Sequence, residues 1–152
     1  MSDTSRTGPI VVGVDGSPNS RRALGVAAQL AAATGAPIFA VHAMGLLTHT
    51  DTGMEPSATH RAELEERLRT EWCQLLDGDA GVEKWSCRVV DGNPADVLLH
   101  AADEEGAAYI VVGSRGVGGH PDLMLGSTSH QVIQHTPCPA VVVPPVGRSL
   151  HA

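Results

Sequence analysis

Residues Ile110–Ser129 read IVVGSRGVGGHPDLMLGSTS. A β-branched run, a glycine-rich loop, and a glycine followed by three hydroxyl residues describe a buried strand passing through a loop into a helix. The same handover occurs near the start of the chain. Ile10–Asp15 runs into Asp-Gly-Ser-Pro, where Ser17 can cap a helix and Pro18 can occupy its first position. That helix extends to about Thr34, with Ala23, Leu24, Ala27, Leu30 and Ala31 on one face and Gly35 as its stop. Pro37–Ala43 reads as the next strand and Met44–Pro56 as a surface loop.

From Ser57 to Leu76 the apolar residues Leu64, Leu68, Trp72, Leu75 and Leu76 recur at helical spacing, and Asp77-Gly78 ends the run. Val82–Val90 is a more polar strand, which suits a sheet edge, and Asp91-Gly92 makes a turn. Asn93 caps a helix that buries Val97, Leu98 and Ala101 and stops near Gly106. Ala108–Gly113 is a fourth strand, Ser127–His135 a short helix ended by Pro137, and Ala140–Val143 a fifth strand. Strands and helices in strict alternation demand a parallel sheet with right-handed crossovers, hence a doubly wound α/β domain. Ligands of such sheets sit beyond the carboxyl ends of the strands, where the winding reverses. That rule points to Asp15, Ala43 and Gly113.

The composition agrees with this architecture. The 152 residues suffice for one domain, with a core spanning about residues 9–145 and loose ends on either side. Apolar residues make up 42% of the chain but aromatics only 3%, so Ala, Val, Leu and Ile must fill the core. The formal charge of −7 and the absence of any basic stripe argue against nucleic acid as a partner. No run of about eighteen apolar residues and no apolar leader appears, so a cytoplasmic protein without a membrane span is expected. Cys73, Cys87 and Cys138 are widely spaced, form no C-x-x-C pair, and read as reduced and buried.

The loop from Gly113 to Ser129 has the parts that hold a phosphate. Glycines let backbone N–H groups approach closely, and a helix N-terminus offers unspent donors with a favourable dipole. Ser127, Thr128 and Ser129 add hydroxyls, and Arg115 a counter-charge. Simpler roles stand beside these: Gly113 and Gly116 as turn residues, Ser127 as a cap, and Asp15 as a turn or cap residue.

The spacing Gly113-x2-Gly116-x9-Gly126-Ser127 resembles the nucleotide loop of the universal stress protein family. The likeness continues through VVGVDGS at residues 11–17, AVHA at 40–43, GNPADVLL at 92–99 and TPCPAVVV at 136–143. The resemblance implies an open five-stranded parallel sheet of order 3-2-1-4-5 with helices on both faces. It implies an ATP-binding subtype, with Asp15 on the adenosine and the main chain of Gly13, Val14 and Ala43 around the adenine. Gly113, Gly116, Gly126, Ser127 and Ser129 would then hold ribose and phosphates, with ATP, ADP or AMP as ligand and Mg²⁺ carried on the phosphates near Asp15. Homodimers through the strand matching Ala140–Val143 are common in the family, and an apolar edge strand invites such pairing on physical grounds. His120-Pro121-Asp122 departs from the family pattern by placing a rigid residue and an acid inside the loop.

Other chemistries fail on named residues. Lys84 is the only lysine and is far from any glycine loop, which excludes a Walker A site. Gly13-Val14-Asp15-Gly16 is not a dinucleotide fingerprint. A receiver domain would want paired acids after the first strand and a lysine at the fifth. No Gly-x-Ser-x-Gly supports a serine nucleophile. The eight histidines lack metal-ligand spacing, and His42, beside Ala43, is the one placed near the candidate pocket. The expected function is a nucleotide-dependent stress sensor with little or slow hydrolysis. The alternative is a stress module that works without nucleotide, through dimer and partner contacts.

Overall fold

The computed structural model describes residues 7–44, 58–78, 82, 84–115 and 125–146. The strands are β1 (Ile10–Gly13), β2 (Ile38–Met44), β3 (Trp85–Asp91), β4 (Tyr109–Gly113) and β5 (Ala140–Val143). All pairs are parallel, in the order β3-β2-β1-β4-β5. Ile10 of β1 stands opposite both Ile38 and Tyr109, and Ile110 opposite Ala140. This is the doubly wound sheet that the alternation of elements demands, with the order implied by the resemblance.

The helices are α1 (Pro18–Thr34), α2 (Ala58–Arg67), α3 (Pro94–Glu105) and α4 (Ser127–His135). Side chains alternate across each strand, so each face of the sheet receives its own core. Ile10, Val12, Val14, Ile38, Ala40 and Val111 pack with Ala23, Leu24 and Ala27 of α1 and Leu68 beyond α2. Val11, Val41, Ile110 and Val112 pack with Ala95, Leu98 and Ala102 of α3 and Val132 of α4. Each fully buried Ile or Leu contributes about 1.5–3 kcal/mol, so many medium-sized side chains replace the missing aromatics.

The caps follow the sequence. The Ser17 hydroxyl accepts from Ser20 N at 3.1 Å, and the Asn93 carboxamide accepts from Ala95 N at 3.0 Å. Each such cap stabilises its helix by about 1 kcal/mol. Gly35 and Gly106 close α1 and α3 in the left-handed conformation. On α4 the cap is Gly126, and Ser127 is the first helical residue.

Several boundaries differ from the sequence reading. β2 continues through Met44, which is buried and belongs to the strand rather than to a loop. β3 begins at Trp85, three residues later than expected, and ends at Asp91. The helix expected over 57–76 is regular only over Ala58–Arg67; a π-helical turn follows at Leu68–Trp72, then a 3-10 turn at Gln74–Asp77. Cys73 N donates to Leu68 O at 2.9 Å, closing the wider ring. Leu68, Cys73 and Leu76 all enter the core across this irregular stretch. All three cysteines are free; Cys73 and Cys138 are buried, but Cys87 is only half-buried because β3 is an edge strand.

Candidate functional site

β1 and β4 are neighbours whose chains leave in opposite directions, β1 toward β2 and β4 toward β5, so their carboxyl ends open a crevice. One wall is the β1–α1 turn. Asp15 is half-buried there, its carboxylate accepting from Ser17 N at 2.9 Å, while Asp15 N donates to the Ser20 hydroxyl at 3.3 Å. Val14 N donates to Val41 O at 2.9 Å, which ties the turn to β2. Gly16 has φ +81 and lies against the Trp72 indole: a Cβ there would stand 2.8 Å from Cε2. The π-helical turn thus delivers an aromatic ring onto the turn that carries Asp15.

His42 completes this side. Its Nδ1 lies 2.8 Å from the Val14 carbonyl, and since a carbonyl only accepts, Nδ1 carries the proton. Its ring meets Trp72 edge-on with centroids 5.0 Å apart, and the Arg67 guanidinium lies 5.5 Å from the same indole. Ala43, the next residue, faces the opposite side of the sheet among the α3 and α4 core.

The other wall is built where β4 ends. Ser114 N donates to Val143 O at 2.8 Å, and Arg115 N to the Asn19 side-chain oxygen at 2.9 Å. Asn19 is buried at the start of α1, and its amide nitrogen donates to Val143 O at 3.0 Å. One carboxamide therefore clamps α1, the segment after β4 and the end of β5. This explains Gly113, because a Cβ there would lie 2.9 Å from Asn19 Cγ and 3.1 Å from Arg115 O.

Gly126 N donates to Ser114 O at 2.6 Å, bringing the start of α4 against the end of β4. A Cβ on Gly126 would press to 3.3 Å from the same oxygen. The Ser129 hydroxyl is buried and donates within the protein, with Ser114 O at 3.2 Å and Gly126 O at 3.1 Å. Ser127 is exposed and Thr128 half-exposed. The first intrahelical backbone bond is His130 N to Gly126 O, so the N–H groups of Ser127, Thr128 and Ser129 have no backbone acceptor among the described residues. The Ser114 hydroxyl is buried and also has no partner among the described residues.

Gly13, Val14 and Asp15 are thus brought to one wall, and Gly113, Arg115, Gly126, Ser127, Thr128 and Ser129 to the other. Gly116 and His120-Pro121-Asp122 lie outside the described residues. Asn19 and Ser114 escaped the sequence reading. Asn19 is the second residue of α1, where asparagine looks like an ordinary cap neighbour, and only the fold shows its side chain turned inward. Among the described residues no cluster of three His, Cys, Asp or Glu side chains could hold a metal, and no helix is long and apolar enough to cross a membrane.

A switch-point crevice with a helix N-terminus on one side and an acidic turn on the other lies where doubly wound α/β sheets generally take their ligands. The chain belongs to the universal stress protein family, whose profile matches residues 7–144. A universal stress protein of Thermus aquaticus is 35% identical over 136 residues, which cover 88% of this chain and 96% of the relative. A universal stress protein solved in complex with cAMP is 30% identical, covers 91% of this chain and 98% of its own, and superposes with a TM-score of 0.65. The Archaeoglobus fulgidus universal stress protein in complex with dAMP is 26% identical, with 90% and 97% covered and a TM-score of 0.67.

Proposed function

We propose that the chain is a cytoplasmic stress-response module that binds an adenine nucleotide in the crevice between β1 and β4. The observation that carries this reading is the set of donors that have no acceptor among the described residues: the first-turn N–H groups of α4 and the buried Ser114 hydroxyl. Such donors suit the oxygens of a phosphate. The complexes of related proteins with cAMP and dAMP support the adenine part of the reading.

In this reading Ser127, Thr128 and the α4 amides take the phosphates, and Arg115 supplies charge. Ser129 acts through its hydroxyl, shared between the Ser114 and Gly126 carbonyls, which holds the start of α4 against the end of β4. Asp15 and the main chain of Gly13, Val14 and Ala43 take the adenosine, Gly116 joins the phosphate loop, and Mg²⁺ enters with ATP beside Asp15. Binding is the function, with turnover slow at most. A homodimer through β5 completes the proposal, since that strand leaves one edge of the sheet open.

Calorimetric titration with ATP, ADP and AMP tests the reading. Saturable heat with at least one of them is expected, reduced about ten-fold or more by Gly126→Val. No heat with any of the three overturns it in favour of a module acting through partner contacts alone. Phosphate release that Asp15→Ala abolishes would identify a slow ATPase.

A further inference from the structure

Two thiols meet on the face of the sheet that carries α1 and α2. Side chains of β3 alternate between faces, and Trp85, Cys87 and Val89 turn to the one whose core also holds Leu68, Cys73 and Leu76. Because β3 is an edge strand, Cys87 is half-buried and within reach of small solutes, whereas Cys73 has no exposed surface. The third thiol, Cys138, belongs to the core of the opposite face.

The π-helical turn brings the pair together. Arg69, on that turn, hydrogen-bonds the Cys87 sulfur. Cys73 closes the same turn four positions after Arg69, and residues so spaced are neighbours on one side of a helix. The charge of Cys87 is accordingly felt at Cys73: burial, then Cys87 and Asp77, push the Cys73 thiol up. At Cys87 burial also pushes the thiol up, but the charge and the hydrogen bond of Arg69 pull it back, against Glu65. The two sulfurs are therefore unequal, one reachable and beside a guanidinium, the other shielded and held protonated.

We propose that Cys87 and Cys73 are a redox pair, in which hydrogen peroxide oxidises Cys87 and Cys73 then closes a reversible disulfide. The Cys87 thiolate attacks the peroxide: an S–O bond forms, the O–O bond breaks, and the departing hydroxide takes up a proton as water, leaving a sulfenic acid. The Cys73 sulfur attacks that sulfur in turn. An S–S bond forms, the S–O bond breaks, and the hydroxide leaves with the Cys73 proton as a second water. Two thiols give up two electrons, and one peroxide is reduced to two waters. The bond ties the π-helical turn, which carries Trp72 onto Gly16, to the sheet edge. Disulfides of this transient kind are the ones that a thiol-reducing compartment permits.

Oxidation of the reduced full chain with sub-millimolar hydrogen peroxide, followed by intact mass and peptide mapping, tests this. Expected are the loss of two hydrogens, a fall from three free thiols to one, and one cross-linked peptide pair joining Cys73 to Cys87, all reversed by dithiothreitol. Cys73→Ala leaves Cys87 as a sulfenic acid that dimedone captures, and Cys87→Ala leaves Cys73 reduced. Arg69→Gln, at an exposed position, slows the oxidation about three-fold or more while urea unfolding stays as in the wild type. In the wild type, a cross-link to Cys138, a disulfide between two chains, sulfinic acid at Cys87 with Cys73 still reduced, or three intact thiols at millimolar peroxide would each overturn the proposal.

Discussion

Asn19 spends both ends of its carboxamide on the chain, accepting from Arg115 N and donating to Val143 O. Removal of a buried partner costs about 1–3 kcal/mol, because the stranded groups keep their desolvation penalty. Asn19→Ala is therefore expected to lower unfolding free energy by about that much in urea titration, and to weaken nucleotide binding in parallel. Asn19→Asp keeps an acceptor for Arg115 N but sets a buried carboxylate oxygen against Val143 O, so its loss should be at least as large. Equal stability of wild type and Asn19→Ala would remove the clamp from the account. Gly16 makes a second test at this scale. Its φ of +81 disfavours any Cβ, and Trp72 occupies the space such a Cβ needs. Gly16→Ala should cost about 1–2 kcal/mol from backbone conformation alone, with a further cost from the indole. Adding Trp72→Ala should recover only the indole part, which a double-mutant cycle by thermal denaturation would separate.

At the scale of elements, the π-helical turn after α2 puts Cys73 into the core and Trp72 onto the β1–α1 turn. Burial pushes the Cys73 thiol up to about 12 from its ordinary 9.0, with Cys87 and Asp77 adding to the effect. The unfolded chain then loses this proton first. Between pH 9.0 and about 12 it binds fewer protons than the folded chain. The contribution is complete below pH 9 and is lost as the pH rises toward 12, with a slope approaching about 1.4 kcal/mol per pH unit. Cys73→Ala should flatten this alkaline decline in urea titrations from pH 8 upward, beneath a constant cost for the lost packing. An unchanged slope would show that other groups cause it. Much of this scale was legible in the sequence: Ser17, Asn93, Gly35 and Gly106 are chemical punctuation, and the strands are unbroken β-branched runs. The π-helical turn was not. Leu64, Leu68, Trp72 and Leu76 fit an α-helix as residues, and the extra residue is dictated by what lies beneath them, Gly16 and the core around Leu24.

At the scale of the whole molecule, the parallel doubly wound sheet followed from alternation and handedness, its order and the crevice between β1 and β4 came with the family resemblance, and the glycine loop marked one of the walls. What could not be read was which side chains tie the walls together, because Asn19 is far along the chain from both of its partners. The open edge at β5 carries the proposed dimer. Val146, just beyond that strand, is 73% exposed, and Ile133 on the adjoining α4 is 46% exposed. Light scattering at micromolar concentration should give the mass of two chains, and Val146→Asp should shift it toward one. A single-chain mass for the wild type would contradict the dimer.

The Asn19 clamp also bears on the order in which the molecule matures. Its two hydrogen bonds span 96 and 124 residues, and contacts of such long range form late, after the intervening chain has paid its closure entropy. A chain growing from its N-terminus has β1, α1 and β2 in hand well before residue 143 exists to receive the Asn19 amide. The clamp on the crevice is thus complete only once β5 has been made, so the proposed nucleotide site would be open only to chains whose synthesis has run that far.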